Sequence, residues 1–280
     1  MESTFAKNFP KLYFSGTPKA GTSSIQRVIF NKLSPNETLF LKPTHEVEHY
    51  VTQSVLKLHI YDIPFDLLKK TDVSDGHLIF VHNSQDPQPL EAVLPLLAGA
   101  SQCTVLLHKK DGVPEEVMLD LIRESQQRLS EENLDCQVIA TSIYDSSIFE
   151  GLSLVLQKHL NIPALENILN ITCSLTFVEK LYLLDASSKL YISMDSASLS
   201  AYEILSDSID MMVDCLALYT TTDIKRSKIS LSHMNIVCIR VFEDLVLLGL
   251  TRDMHPITWH NLDCIADQIR DILNIKMKVK

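Results

Sequence analysis

Between the apolar run Leu12, Tyr13, Phe14 and the helix-like stretch Ile25, Val28, Ile29, Phe30 lies SGTPKAGTSSIQ, residues 15–26. Gly16 to Ser23 fits G-x-x-x-x-G-K-[ST], the loop whose backbone N–H groups cradle phosphates, at every position except the lysine, which here is Thr22. Gly21 and the start of the following helix can still aim N–H groups at an anion, and Ser23 stands where a magnesium-ligating hydroxyl belongs. The missing lysine removes a charge-assisted hydrogen bond worth about 1.5–3 kcal/mol, so triphosphate binding is expected to be weaker by roughly tens-fold. Lys19, inside the loop, is a candidate for partial substitution.

Further along, YDIPFD places Asp62 where an acid would hold magnesium through water. The glycine expected three residues on, whose N–H would sense a terminal phosphate, is Phe65, and Asp66 replaces the polar residue that would orient water. Hydrolysis is therefore expected to be very slow or absent. HKKD, residues 108–111, ends in Asp111, which can accept hydrogen bonds from the N1–H and exocyclic amine of guanine while the Lys109 stem lies over the base. Adenine lacks that donor pair. HEVEH, His45 to His49, matches the zinc hydrolase pattern H-E-x-x-H, which needs both imidazoles on one helix face. Pro43 just before it, and the strand-like run after it, argue against such a helix. His82 and His108 end apolar strands, where a hydrogen-bonded structural histidine is the ordinary finding.

These residues fall at the carboxyl ends of predicted strands, where α/β folds place ligands. From Lys11 to about Leu160, short apolar runs alternate with amphipathic segments, the pattern of a parallel sheet covered by helices. Strands are predicted at 11–15, 54–61, 77–82, 103–108 and 136–141, and helices at 22–32, 88–98, 114–130 and 147–160. Asn161-Ile162-Pro163 breaks the last helix and sets a domain boundary, giving domains 1–162 and 163–280. The second half reads as an α+β domain. It has a helix at 164–174, strands at 178–185 and 188–194, and a long helix at 200–219. Strands at 228–232, 235–242 and 244–251 follow, then a helix at 257–274. The stripe Ile204, Ile209, Met211, Met212, Leu216 on the long helix is expected in the core, or in a dimer seam.

The chain of 280 residues is long enough for two cores. Its formal charge of −10 lacks the clustered Lys and Arg that a nucleic acid partner needs. Six cysteines without metal-ligand spacing are expected to be reduced core thiols of a cytoplasmic protein. No apolar stretch nears the roughly 18 residues of a membrane span, so direct membrane insertion is not expected.

The stretches SSIQRVIFNKLSPNETLFL, HKKDG and TSIYDSSIFEGLSLVLQKHL, followed by LENILN, resemble the Rag GTPases of the RagC and RagD type and the yeast Gtr proteins. EKLYLLDASSKLYISMDS and SAYEILSDSIDMMVD resemble the same family's C-terminal domain. The resemblance implies a Ras-like P-loop GTPase-type α/β domain followed by a roadblock/longin-like domain. It also implies a heterodimer with a RagA or RagB-type subunit, docking on a Ragulator/EGO-type scaffold at the lysosomal or vacuolar surface, and amino-acid signalling to the target-of-rapamycin kinase complex. Carried across by residue, Gly16, Gly21, Ser23 and Ser24 belong to the phosphate loop, Thr44 to the first switch and Asp62 to magnesium. His108, Lys109 and Asp111 face guanine, with Thr141 and Ser142 beside it. GTP or GDP with magnesium is the implied ligand, and Thr22, Phe65 and Asp66 depart from the family pattern.

Overall fold

The side chains of Leu12, Phe14 and Ser15 are almost wholly shielded because their strand lies inside a sheet. The computed structural model describes residues 10–52, 54, 57–86, 93–160, 162–197, 202, 204, 206–209, 211, 226–242, 244–252 and 256–279. The chain folds as two compact units, the first ending at Val155 and the second running on from Leu156.

In the first unit, β1 (Lys11–Gly16), β3 (His59–Asp62), β4 (His77–Asn83), β5 (Gln102–His108) and β6 (Cys136–Thr141) pair in parallel. The sheet runs β2-β3-β1-β4-β5-β6, and its edge strand β2 (Glu48–Val51) lies antiparallel to β3. The sheet is thus mixed rather than all-parallel. Strand β2 has no counterpart among the predicted strands, because its residues are mostly exposed and carry no buried-strand pattern. The strand predicted at 54–61 is confined to His59–Asp62, with 53, 55 and 56 outside the described residues.

Helix α1 (Thr22–Asn31) ends one residue early, where Lys32 turns left-handed at φ 55°. A 3₁₀ helix (Pro35–Phe40), a one-turn α2 (Phe65–Leu68), α3 (Leu94–Leu97), a 3₁₀ turn (Lys110–Gly112), α4 (Glu115–Glu131) and the part of α5 (Ser147–Leu160) up to Val155 complete the unit. Of the helix predicted at 88–98, Leu94–Leu97 is helical, and 88–92 lies outside the described residues. Cys103 and Cys136, register partners on β5 and β6 with Cα atoms 5.0 Å apart, are disulfide-bonded. That corrects the expectation of reduced thiols throughout. A separation of 33 residues in sequence gives no hint of adjacency in a sheet.

The second unit holds α6 (Pro163–Leu175) and an antiparallel sheet of β7 (Val178–Asp185), β8 (Tyr191–Met194), β9 (Arg226–Ser230), β10 (Asn235–Phe242) and β11 (Leu245–Thr251), ordered β8-β7-β11-β10-β9. Helix α7 (Pro256–Val279) closes it. Strand β8 starts later than the predicted 188, because the Asp185 carboxylate accepts hydrogen bonds from the Ser187 and Ser188 hydroxyls and bends the chain there. In the region predicted as the long helix, residues 202, 204, 206–209 and 211 are helical. Of its stripe, Ile209 is buried, but Ile204 and Met211 are 43% and 57% exposed, so they are not core. Met212 and Leu216 lie outside the described residues.

One polar cluster ties this sheet together. The Lys180 ammonium donates to the carbonyls of Asp195 and Ala197 at 2.8 and 2.7 Å. The Asp195 carboxylate accepts the N–H groups of Leu181 and Ala197 and lies 3.6 Å from the same ammonium, with both side chains nearly inaccessible. Removing one partner strands the other charge without water. Asp195→Ala is expected to lower unfolding stability by about 3–5 kcal/mol, read by urea denaturation; a loss within that of ordinary surface substitutions would remove the cluster's structural role.

Candidate functional site

The loop from Gly16 to Gly21 is shaped by two positions that accept no side chain. A Cβ on Gly16 would lie 2.3 Å from the Val81 carbonyl oxygen. Gly21 holds φ at 102°, and a Cβ there would press on the His108 ring at 3.1 Å. Between them Ala20 N–H donates to Thr17 O at 3.0 Å and Lys19 turns left-handed at φ 64°, curling the chain back on itself. The curl delivers the chain into α1, whose first turn contains Thr22, Ser23 and Ser24 and has neither a side-chain cap nor an acid. Its first N–H groups lack an intrahelical acceptor by construction and bind anions well.

Ser23 is the meeting point of distant segments. Its hydroxyl donates to Asp62 Oδ2 at 2.7 Å and lies 2.9 Å from Thr44 Oγ1. Thr44 Oγ1 also donates to the same Asp62 oxygen, at 3.3 Å. Burial pushes the Asp62 carboxyl above its ordinary pKa, and the hydroxyls of Ser23 and Thr44 pull it partly back. Two hydroxyls and a carboxylate are hard oxygen donors, and neighbouring ligands on an octahedral magnesium at about 2.1 Å stand about 3 Å apart. The residues present fit that ion.

At the other end of the cleft, β5 and β6 deliver His108 and Thr141, both inaccessible, with Nδ1 and Oγ1 3.0 Å apart. Ser142 donates its hydroxyl to Asp111 Oδ1, and its N–H donates to Ser147 Oγ at 2.9 Å. Asp111 thereby keeps its second oxygen for a ligand. Lys109, itself left-handed at φ 64°, sends its ammonium across the cleft to the Lys19 carbonyl at 2.8 Å, joining the two loops. The whole forms an open cleft of about 690 Å³ lined by Gly16–Ser24, Thr44, Asp62, His108, Lys109 and Asp111. That volume falls in the range of small-molecule sites.

Of the predicted site residues, Thr141 and Ser142 support the cleft from behind and the others line it. Phe65 and Asp66 line it too. The partly buried Phe65 ring packs against the edge of the apolar core, its centroid 6.3 Å from that of Phe80, and no glycine stands at this position. Lys42 and Tyr144 also border the cleft and were not singled out from the sequence; a lysine beside Pro43-Thr44 was the available signal. HEVEH forms no helix: His45 to Val47 run without regular structure, and Glu48 and His49 belong to β2. His49 instead stacks on His59 and Tyr61.

Burial, reinforced by the neighbouring Lys109, lowers the His108 pKa from 6.5 to about 4. A histidine that binds protons less readily when folded contributes stability that is full above its unfolded pKa and is lost as pH falls through the folded one. Between pH 6.5 and 4 the parent should therefore lose about 3 kcal/mol through this group. His82 and His159 shift the same way, so the readout is the difference in pH slope between parent and His108→Asn in urea unfolding. Parallel slopes would refute the assignment.

The family model for the Gtr1/RagA G protein conserved region matches residues 11–82 and 90–209. The GTP-binding protein gtr2 of Schizosaccharomyces pombe is 37% identical over a 240-residue alignment that covers 75% of each chain. Ras-related GTP-binding protein C of Homo sapiens is 35% identical over 239 residues, 75% of this chain and 60% of that one. Among solved structures, the Arl6 small GTPase of Trypanosoma brucei covers 52% of this chain and 94% of its own, at 14% identity and a TM-score of 0.41. A roadblock/LC7 domain from Streptomyces avermitilis covers 39% of this chain and 96% of its own, at 9% identity and a TM-score of 0.34. Matched by the family model over most of its length, and by a relative at 37% identity, the chain belongs to the Gtr/Rag family of G proteins, built as an α/β unit followed by an α+β unit.

Proposed function

We propose that this chain is a RagC-like subunit of a Rag-type heterodimer that grips guanine nucleotide weakly and serves mainly as a structural and signalling partner. Its domains are taken as 1–162 for nucleotide and 163–280 for dimerisation with a RagA or RagB-type subunit. The assembly would stand on a Ragulator/EGO-type scaffold at the lysosomal or vacuolar surface and pass amino-acid status to the target-of-rapamycin kinase complex. Among the described residues no helix is long and apolar enough to cross a membrane, and recruitment through partners fits that.

The observation that carries the nucleotide part is the conjunction inside one cleft. Ser23, Thr44 and Asp62 converge on one point, Asp111 is braced by Ser142, and Thr22 stands where a lysine would bind phosphate. Magnesium, when bound, supplies charge neutralisation to the phosphate oxygens. Ser23, Thr44 and Asp62 would hold it, the first N–H groups of α1 would receive the phosphates, and Asp111 would select guanine. What remains is recognition with reduced grip. Phe65, packed against the edge of the core, leaves no glycine N–H to report a terminal phosphate, so turnover is expected to be negligible. A functional slow GTPase is the second reading, favoured by the closeness of Thr44 to Ser23 and Asp62, as a closed first switch would require.

Two measurements test this. Nucleotide released from the purified full chain and separated by ion-exchange chromatography is expected well below one equivalent, with Thr22→Lys raising affinity roughly ten- to hundredfold; a full equivalent of GDP or GTP in the parent refutes weak binding. Co-expression of the full chain with a RagA-type subunit should give one complex on a sizing column, and separate elution would refute the heterodimer.

A further inference from the structure

The phosphate end of the cleft carries an electrostatic deficit. Asp62 and Asp66 line it, a nucleoside di- or triphosphate brings more negative charge, and position 22 offers a hydroxyl in place of an ammonium. Three lysines border the same cleft: Lys19, Lys42 and Lys109. Lys109 is engaged, since its ammonium donates to the Lys19 carbonyl. Lys42 is exposed to solvent, and among the described residues its ammonium has neither an ion pair nor a hydrogen bond.

Lys42 sits between two anchors. On one side the 3₁₀ helix Pro35–Phe40 is fixed by a capping box between Ser34 and Glu37, and Leu41 N–H donates to Thr38 O at 3.2 Å. On the other, Thr44 is held 2.9 Å from Ser23 Oγ in the first turn of α1. Pro43 stiffens the step between them. Two residues of chain span at most about 7 Å, and a lysine's flexible four-carbon stem adds comparable reach. An ammonium at this point is within reach of the first turn of α1, whose Thr22, Ser23 and Ser24 line the same cleft.

We propose that Lys42 supplies, from the segment between the 3₁₀ helix and Thr44, the cation that position 22 does not carry, and that it binds the terminal phosphate oxygens of a guanine nucleoside di- or triphosphate. The proposal rests on the nucleotide-binding reading above and names a further phosphate-binding residue for that site. A lysine at position 22 would belong to the β1–α1 turn, whereas Lys42 belongs to the segment that also carries Thr44, so both groups would reach the nucleotide from one stretch of chain.

The test is a fluorescence titration of the full chain, with magnesium, using mant-GDP and mant-GppNHp on the parent, Lys42→Ala, Thr22→Lys and the double variant. Lys42→Ala is expected to weaken binding about ten- to hundredfold in the parent and by less than about threefold when lysine is restored at position 22. Lys42→Arg, which keeps the charge, should retain most of the affinity and shows that loss in the alanine variant is not misfolding. Equal losses in both backgrounds, an unchanged Lys42→Ala, or a larger loss from Lys19→Ala would each overturn the proposal. So would a parent that binds neither probe while Thr22→Lys binds both. Failure of every variant, Thr22→Lys included, would overturn the nucleotide-binding reading itself.

Discussion

The Asp62 carboxylate lies 5% exposed at the end of β3, and a charge kept that far from water needs hydrogen-bond donors. Two of its donors come from other parts of the chain: Ser23 from the first turn of α1, and Thr44 from the segment before β2. This one requirement draws three segments to a common point. It also sets one end of the cleft, where Ser23, Thr44 and Asp62 converge. Burial raises the carboxyl's pKa, and the hydroxyls of Ser23 and Thr44 offset part of that rise.

The rest of the first unit serves to bring its two ends together. Parallel pairing of β1, β4, β5 and β6 lines up their carboxyl ends, so the phosphate loop, HKKD and Thr141-Ser142 emerge on one side of the sheet. Lys109 then bridges the HKKD turn to the Gly16–Gly21 loop through the Lys19 carbonyl. Thr22, Phe65 and Asp66, the residues that depart from the sequence pattern, all line the cleft. Gly16 and Gly21, which shape it, are the residues that backbone sterics demand there.

Much of the fold could be read directly. Strands such as β4 and β5 carry apolar runs and are buried almost throughout, and α4 opens after Pro114 with Glu115-Glu116 as helix starts do. Strand β2 escaped because an exposed edge strand has no burial pattern to betray it. Strand β8 was drawn too long because a turn made by the Asp185 side chain leaves no apolar or glycine signature. Of the two places expected for the 204–216 stripe, the core is excluded for Ile204 and Met211 by their exposure, because an apolar residue on an amphipathic helix need not be on its buried side.

The sequence by itself determined the alternation that makes an α/β unit, the change of grammar after Pro163, the glycines of the loop and the identity of every residue that could bind a base or a metal. All of these follow from local sterics and periodicity, which act over a few residues. Tertiary structure alone decided that Thr44 meets Ser23 across 21 residues, that Cys103 meets Cys136, that HEVEH runs into an edge strand rather than a helix, and that Lys42 borders the cleft. Each depends on which segments the sheet order makes neighbours, and that order is set by burial across the whole unit.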